Sequence, residues 1–377
     1  MKKVVLMPDS FKGTMSSEEI CSIMSSAIKI HYPQTEIISI PVADGGEGTV
    51  DSFLKAVGGE KIYLPVKGPY MEDIEGFYGI LPDGTAVVEM AAAAGLPLVG
   101  NNRQAHKTTT FGVGQLISDA MERGCEDIVL GLGGSATNDL GCGAAAAMGT
   151  IFYNKDGNEF IPVGETLSKI SKIDVSKTKK VFSGVNIVTM CDIDNPLFGK
   201  TGAAYIFGPQ KGADEGMVKL LDDQLRLAAK VIESELGIDV SLIPGAGAAG
   251  GMGAGTVAFF GAVLRMGIEA VLDTVKFDEL ATGADYIFTG EGRIDTQSLR
   301  GKVVIGISRR AMKHNIPVIA VVGDISEGIE QAYDQGVSGI FSINRVAVPF
   351  PEARSRARDD MYLTIDNIIR FIKRISN

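Results

Sequence analysis

Short apolar runs alternate with glycine-bearing polar loops and amphipathic stretches from the first residues onward. Val4-Val5-Leu6-Met7 has the pattern of a buried strand and ends in Pro8-Asp9-Ser10-Phe11-Lys12-Gly13. Ser16 with Glu19 three residues later is a capping-box signature, and Ile20, Ile23, Met24, Ala27 and Ile28 then recur at helical spacing. Residues 37–42 predict a second strand, which runs into Ala43-Asp44-Gly45-Gly46-Glu47-Gly48-Thr49. The helix after it turns Val50, Phe53, Leu54 and Val57 inward and stops at Gly58. Strand, glycine loop and helix, twice over, predict a βαβ opening and a parallel sheet.

The last third of the chain repeats that rhythm. Residues 286–289 predict a strand that ends in Gly290-Glu291-Gly292-Arg293-Ile294-Asp295, and a helix is expected over 303–314. Strands are expected at 317–322 and 339–343, and an amphipathic helix at 361–375 closes the chain. The middle differs. It carries hairpin signals at Pro82-Asp83-Gly84 and Asn154-Lys155-Asp156-Gly157, and Ala/Gly-rich segments near 141–149 and 245–262. The fold class expected is α/β with two α/β domains: a discontinuous Rossmann-like one of residues 1–66 and 276–377, whose parallel sheet comes from both chain ends, and an inserted one of residues 67–275.

At 377 residues the chain exceeds a typical domain of roughly 100–200, in keeping with two domains. A net charge of −10 argues against a nucleic-acid partner, which needs a basic footprint, but leaves room for a small anion in a locally basic cleft. Four dispersed cysteines without a CxxC pair and only three histidines argue against zinc and for a reducing, cytoplasmic setting. No apolar run reaches the ~18 residues of a membrane span, so no membrane association is expected, and the run at 4–7 is too short for a signal peptide.

Ligands of open α/β sheets bind beyond the C-terminal strand ends, where Asp9, Asp44, Glu291 and Asp295 all fall. Each could equally be a helix cap. In residues 128–139 a strand leads through Gly131-Leu132-Gly133-Gly134-Ser135-Ala136-Thr137-Asn138-Asp139 towards an alanine-rich helix. That arrangement would offer backbone N–H groups and a helix N-terminus to phosphate, or be only a tight packed turn. Gly245-Ala246-Gly247-Ala248-Ala249-Gly250 matches G-x-G-x-x-G literally, which a close helix contact would also explain. Gly199-Lys200-Thr201 is no Walker A, because Asp194 stands where that motif needs glycine. Asp192 and Asp194, spaced i and i+2 after an apolar strand, suit Mg²⁺ or an Asx-Pro turn. Lys211, Arg293, Arg300 and Lys302 supply cations in glycine-flanked loops.

With these motifs in this order the chain resembles the bacterial glycerate kinase family, the two-domain type without Walker A or protein-kinase signatures. The resemblance runs through residues 8–13, 43–49, 131–139, 191–197, 207–213, 250–254 and 289–295. Gln115 stands where the family pattern leads us to expect Glu, and Leu140 where Gly is usual. The resemblance implies transfer of a phosphoryl group from ATP to D-glycerate with Mg²⁺, usually to 2-phosphoglycerate, with 3-phosphoglycerate the alternative product.

On that basis Gly133, Gly134, Ser135, Thr137 and Asn138 are expected at the nucleotide phosphates, and Asp192 with Glu291 at Mg²⁺. Lys211, Arg293 and Ser10 are expected at the substrate, Lys12 at the transferring group, and Asp9 or else Asp44 at the substrate hydroxyl. Two domains also suggest closure around the substrates, in a monomer or homodimer. Two competing functions remain. One is an NAD(P)-dependent oxidoreductase on a glycine loop, with Asp156 or Glu269 for the ribose; the other is a glycerate-sensing protein without turnover.

Overall fold

The computed structural model describes residues 1–43 and 45–376. Along the chain run β1 (Lys3–Pro8), β2 (Glu36–Ser39), β3 (Glu60–Lys67), β4 (Asp73–Ile80), β5 (Ala86–Glu89) and β6 (Asp127–Gly131). Short strands β7 (Ile151–Tyr153), β8 (Glu159–Phe160) and β9 (Lys172–Asp174) follow, then β10 (Asn186–Met190) and β11 (Val263–Arg265). The last are β12 (Tyr286–Gly290), β13 (Arg293–Ile294), β14 (Val318–Val322), β15 (Asp324–Ile325) and β16 (Val337–Ser342). They fall in two compact units, residues 1–43 with 268–377 and residues 44–267.

The first unit is built on a five-stranded sheet of order β16-β14-β12-β1-β2. Every pairing in it is parallel. Helices cover both faces, which is why its inner strands read as unbroken apolar runs. On one face Val4, Leu6, Phe288 and Val321 meet the helices Ser17–His31 and Phe350–Ile375, through Ile20, Met24, Ile28, Met361, Ile365 and Ile369. On the other, Ala320 and Val322 pack against Val304 and Ile305 of the helix Val303–Met312. Ser16 caps its helix as expected, its hydroxyl accepting from the Glu19 N–H at 3.1 Å. Glu19 itself pairs with Arg358 at 3.1 Å, tying the first helix to the last.

The second unit holds a mixed sheet of order β11-β10-β6-β5-β4-β3, its four parallel strands extended by the antiparallel β4 and β3. The hairpin signals at 82–84 and 154–157 join β4 to β5 and β7 to β8. Its alanine- and glycine-rich segments form the helix Cys142–Ala147 and the stretch Ala248–Phe260, whose helix is broken by left-handed residues at Ala249, Gly250 and Gly251. Small residues let these elements approach closely: a Cβ on Gly255 would stand 2.2 Å from the Leu140 carbonyl, and one on Gly114 2.4 Å from that of Ala144.

The division of the chain lies at 43/44 and 267/268, away from the 66 and 276 expected from the sequence. The helix Thr49–Val57 belongs with the inserted unit because it lies on β4, where a Cβ at Gly79 would touch Val50 at 3.1 Å. Its N-terminus is also held by Glu89, at the end of β5. At the second crossing, Ile268 is buried beneath Gly306 of the first unit. Among the described residues no helix is long and apolar enough to cross a membrane.

Phe288, fully buried on β12, carries much of the first core. Phe288→Ala is expected to cost about 3–5 kcal/mol, read as a lower denaturation midpoint followed by tryptophan-free probes such as far-UV circular dichroism.

Candidate functional site

Numbered within its own unit, the first sheet has the doubly wound order 2-1-3-4-5, with its topological switch point between β1 and β12. Pro8 pairs with Gly290 at the carboxyl ends of these strands, and the Asp9 N–H donates to the Gly290 carbonyl at 2.8 Å. Asp9 and Glu291 therefore leave adjacent strand ends side by side. A Cβ on Gly290 would sit 1.9 Å from the Val321 carbonyl, so glycine there lets β14 close in.

Glu291 is buried, accepts from Ser298 and feels the charges of Asp9 and Asp295, with Lys302 the opposing cation. Its other oxygen, Oε1, has no hydrogen-bond partner among the described residues. Burial above all, then the neighbouring carboxylates, pushes its pKa up to about 7. Asp295 is largely a cap, its Oδ1 accepting from the Gln297 N–H at 2.8 Å and the Ser298 N–H at 3.2 Å. Asp9 accepts from its neighbour Ser10, N–H to Oδ1, at 2.6 Å. Three of the four loop acids thus gather, while Asp44 lies outside the described residues.

Lys12 is exposed at the tip of a tight loop closed by backbone bonds of 2.9 and 3.0 Å between Phe11 and Met15. Arg293, on β13, is exposed as well; its Nε donates to the Ser326 hydroxyl at 2.8 Å, with Asp324 at 3.7 Å.

In the second unit the loop after β6 corrects the expected phosphate cradle. No helix follows Gly134; residues 132–141 are irregular and the helix begins only at Cys142. Its N-terminus is already served by Asp139, which accepts from the N–H groups of Gly141 and Gly143, both at 3.2 Å. The Thr110 N–H (2.7 Å) and hydroxyl (2.9 Å) complete the set around that buried carboxylate. The Gly133 N–H is spent on the Gly45 carbonyl at 2.8 Å and that of Ala136 on the Ala94 carbonyl at 2.8 Å. Cβ atoms on Gly131 and Gly133 would come within 2.4 Å of the Gly45 carbonyl and 2.5 Å of the Gly46 Cα. These glycines exist so that two glycine motifs can stack backbone on backbone.

Lys211 comes to this same loop. It is 2% exposed, and its Nζ donates to the Ser135 hydroxyl at 2.8 Å and to the Thr137 carbonyl at 2.7 Å. Burial pushes its ammonium down to about 7, against the attraction of Asp139. Thr137 Oγ1 and both Asn138 side-chain polar atoms are buried with no partner among the described residues. An unpaired buried group of this kind costs about 1–3 kcal/mol. Nothing in the sequence distinguished these atoms from the solvated hydroxyls and amides of an ordinary loop.

Asp192 takes the Gly267 N–H on Oδ1 at 2.6 Å, so part of its expected metal-binding capacity serves the start of a helix. The literal G-x-G-x-x-G follows no strand, coming instead after the helix Glu215–Leu236. Each of its glycines has a packing reason: Cβ atoms on Gly245, Gly247 and Gly250 would meet Cys191 Sγ at 2.7 Å, the Pro196 carbonyl at 2.3 Å and the Thr137 carbonyl at 2.0 Å. Neither glycine loop therefore has the strand-to-helix form that dinucleotide binding requires. Asp156 lies on an exposed hairpin turn, and Glu269 lies 4.0 Å from Arg310 as an ion pair.

Glu89 went unnoticed in the sequence, its one signal being an acid at the end of an apolar strand. It is 2% exposed and accepts from the N–H groups of Val50 at 3.0 Å and Gly48 at 3.5 Å, fixing the loop that carries the 43–49 motif. The two departures from the family pattern are also explained. Gln115 Oε1 accepts from the Lys67 N–H at 2.7 Å, a task an amide performs without charge. Leu140 has φ +58°, a conformation that suits glycine, and its side chain is fully buried.

The fold is a two-unit α/β one with polar loops at the carboxyl ends of its parallel strands. Across its whole length the chain resembles the crystal structure of a protein assigned as glycerate kinase 2 from Salmonella typhimurium, with TM-score 0.86, 38% identity and coverage of 100% of this chain and 99% of that one. The glycerate kinase family profile matches residues 4–373. Relatives include a Bacillus cereus glycerate kinase, 45% identical over 97% of both chains. An Escherichia coli glycerate 2-kinase is 41% identical, also over 97% of both. The chain belongs to the glycerate kinase family.

The raised Glu291 predicts a pH effect. An acid whose folded pKa lies above its unfolded value stabilises the fold below about pH 4.5 and loses that contribution as pH rises to about 7. In metal-free buffer the wild type should lose up to about 3 kcal/mol over this interval from this group. Glu291→Gln should flatten that part of a pH series of thermal melts and be the more stable protein at pH 7.

Proposed function

We propose that this chain transfers the γ-phosphoryl group of ATP to D-glycerate, giving 2-phosphoglycerate and ADP. Membership of the glycerate kinase family supports both donor and acceptor. The 2-kinase name of the Escherichia coli relative supports the 2-position over the 3-position. The observation that carries the reading is the proximity of the Asp9 and Glu291 carboxylates at the switch point. Carboxylates there repel a bare phosphate and favour either a metal-screened one or a hydroxyl in need of a base.

Among the described residues no group of three or more His, Cys, Asp or Glu could hold a metal ion by itself. Glu291 Oε1 is nevertheless buried without a partner among those residues, and Asp9 and Asp295 add negative charge nearby, so Glu291 would supply one contact to Mg²⁺. Mg²⁺, when bound, would neutralise charge on the phosphoryl oxygens. The Gly267 N–H occupies one oxygen of Asp192, which leaves Glu291 as the metal ligand proposed.

In this reading Asp9 orients the acceptor hydroxyl and takes its proton, with Asp44 the alternative. Lys12 neutralises the transferring group from its exposed loop tip. Ser10 and Arg293 contribute to the acceptor side. For the nucleotide, the exposed turn at Gly134, with φ +72°, remains the part of the 133–138 loop open to phosphate. Phosphoryl transfer is mainly positioning and charge stabilisation, so these roles need no covalent intermediate.

Incubating the protein with ATP, Mg²⁺ and D-glycerate should give the ³¹P NMR signal of 2-phosphoglycerate, with ADP released in step. A 3-phosphoglycerate signal would reassign the acceptor position, and binding without ADP release would leave a sensor. Lys12→Ala should lower kcat by about 100-fold or more with little change in the KM for ATP, as expected for a group acting mainly in the transition state. A near-normal kcat would remove Lys12 from the chemistry.

A further inference from the structure

Two consecutive residues of the second unit bury side-chain polar atoms that have no partner among the described residues. Thr137 is 0% and Asn138 1% exposed, and Thr137 Oγ1, Asn138 Nδ2 and Asn138 Oδ1 all lack partners among the described residues. Native interiors hold few such atoms, and three in succession call for an explanation. General looseness of the loop is not one. On one side Ser135 accepts from Lys211, and on the other Asp139 is surrounded by Thr110, Gly141 and Gly143. The backbone beneath is also fixed, with the Thr137 carbonyl bound to Lys211 and Gly250 packed against residues 137–138.

The unpaired atoms specify their missing partner. Thr137 offers a hydroxyl donor, and the Asn138 amide offers donors on one atom and an acceptor on the other, whichever way the amide is turned. The Lys211 ammonium, with three protons and two neutral acceptors here, favours an anion. An ionised nucleotide phosphate supplies only acceptors and leaves the Asn138 carbonyl unmatched. A carboxylate with a nearby hydroxyl matches the whole set.

We infer that Ser135, Thr137, Asn138 and Lys211 form the acceptor subsite, holding the carboxylate of the hydroxy acid and the hydroxyl that is not phosphorylated. This rests on the kinase reading above for the identity of the acid. It assigns Ser135, Thr137 and Asn138 to the acceptor instead of the nucleotide, and it makes Asn138 the residue that distinguishes a dihydroxy acid from its deoxy analogue. A site built to pair a hydroxyl discriminates strongly against a ligand without one, because its own polar group is then left unpaired.

The test compares D-glycerate with D-lactate, which lacks only the 3-hydroxyl. Without ATP, calorimetric titration of the wild type should show D-glycerate binding at least about tenfold more tightly than D-lactate. Equal affinity for the two acids overturns the subsite without any variant. In steady-state assays Thr137→Val and Asn138→Leu should raise the KM for glycerate by about 10- to 100-fold, with the KM for ATP little changed. Asn138→Leu should also narrow the preference for glycerate over D-lactate. A rise confined to the KM for ATP, or an undiminished preference, overturns the assignment. Wild-type product formation with unaltered variants would sink the subsite and leave the kinase reading standing. The expected binding order with no ³¹P product would do the reverse.

Discussion

The parallel pairing of β1 with β12 brings a strand from the start of the chain beside one from its last third, and the rest of the first unit is arranged around that contact. Because both strands point the same way, their carboxyl ends and following loops emerge together. Because β2 lies on one side and β14 on the other, the crossing helices part there and leave the loops uncovered. Asp9 and Glu291 share an electrostatic environment for that reason alone. Sliding the pair by one residue would turn the apolar strand faces over and separate the two carboxylates from the crevice they define.

The second unit uses glycine differently. Its motifs allow backbone to lie on backbone: residues 45–46 on 131–133, and 250 on 137–138. Such stacking places loops at separations that no side chain permits. Once they are so placed, the N–H of Gly133 is consumed by the Gly45 carbonyl and is lost to any ligand. The polar chemistry of the loop passes from its backbone to the side chains of Ser135, Thr137 and Asn138, and to the lysine that reaches them from residue 211.

Among the described residues, the buried atoms without partners include Glu291 Oε1 in the first unit and the Thr137–Asn138 set in the second. Each sits next to a group whose charge is disturbed by burial, Glu291 upward and Lys211 downward. A fold selected only for stability would pair or remove such groups, since each lowers the stability of the unliganded protein. A partner that completed them would recover this energy as binding free energy.

Alternation of apolar strands, glycine loops and amphipathic helices was enough to determine the two-unit α/β organisation, the capping serine at 16, the hairpins at 82–84 and 154–157, and the loops carrying Asp9 and Glu291. These features depend on neighbours within a few residues, where periodicity and turn chemistry are written directly. Tertiary structure alone decided the crossing points at 43/44 and 267/268, the use of Gly131 and Gly133 for stacking, the delayed helix at Cys142, and the meeting of Lys211 with Ser135 and Thr137. A glycine that admits a phosphate and one that admits another chain segment look identical in one dimension. What separates them is the partner that long-range packing delivers, and that is set by the whole chain at once.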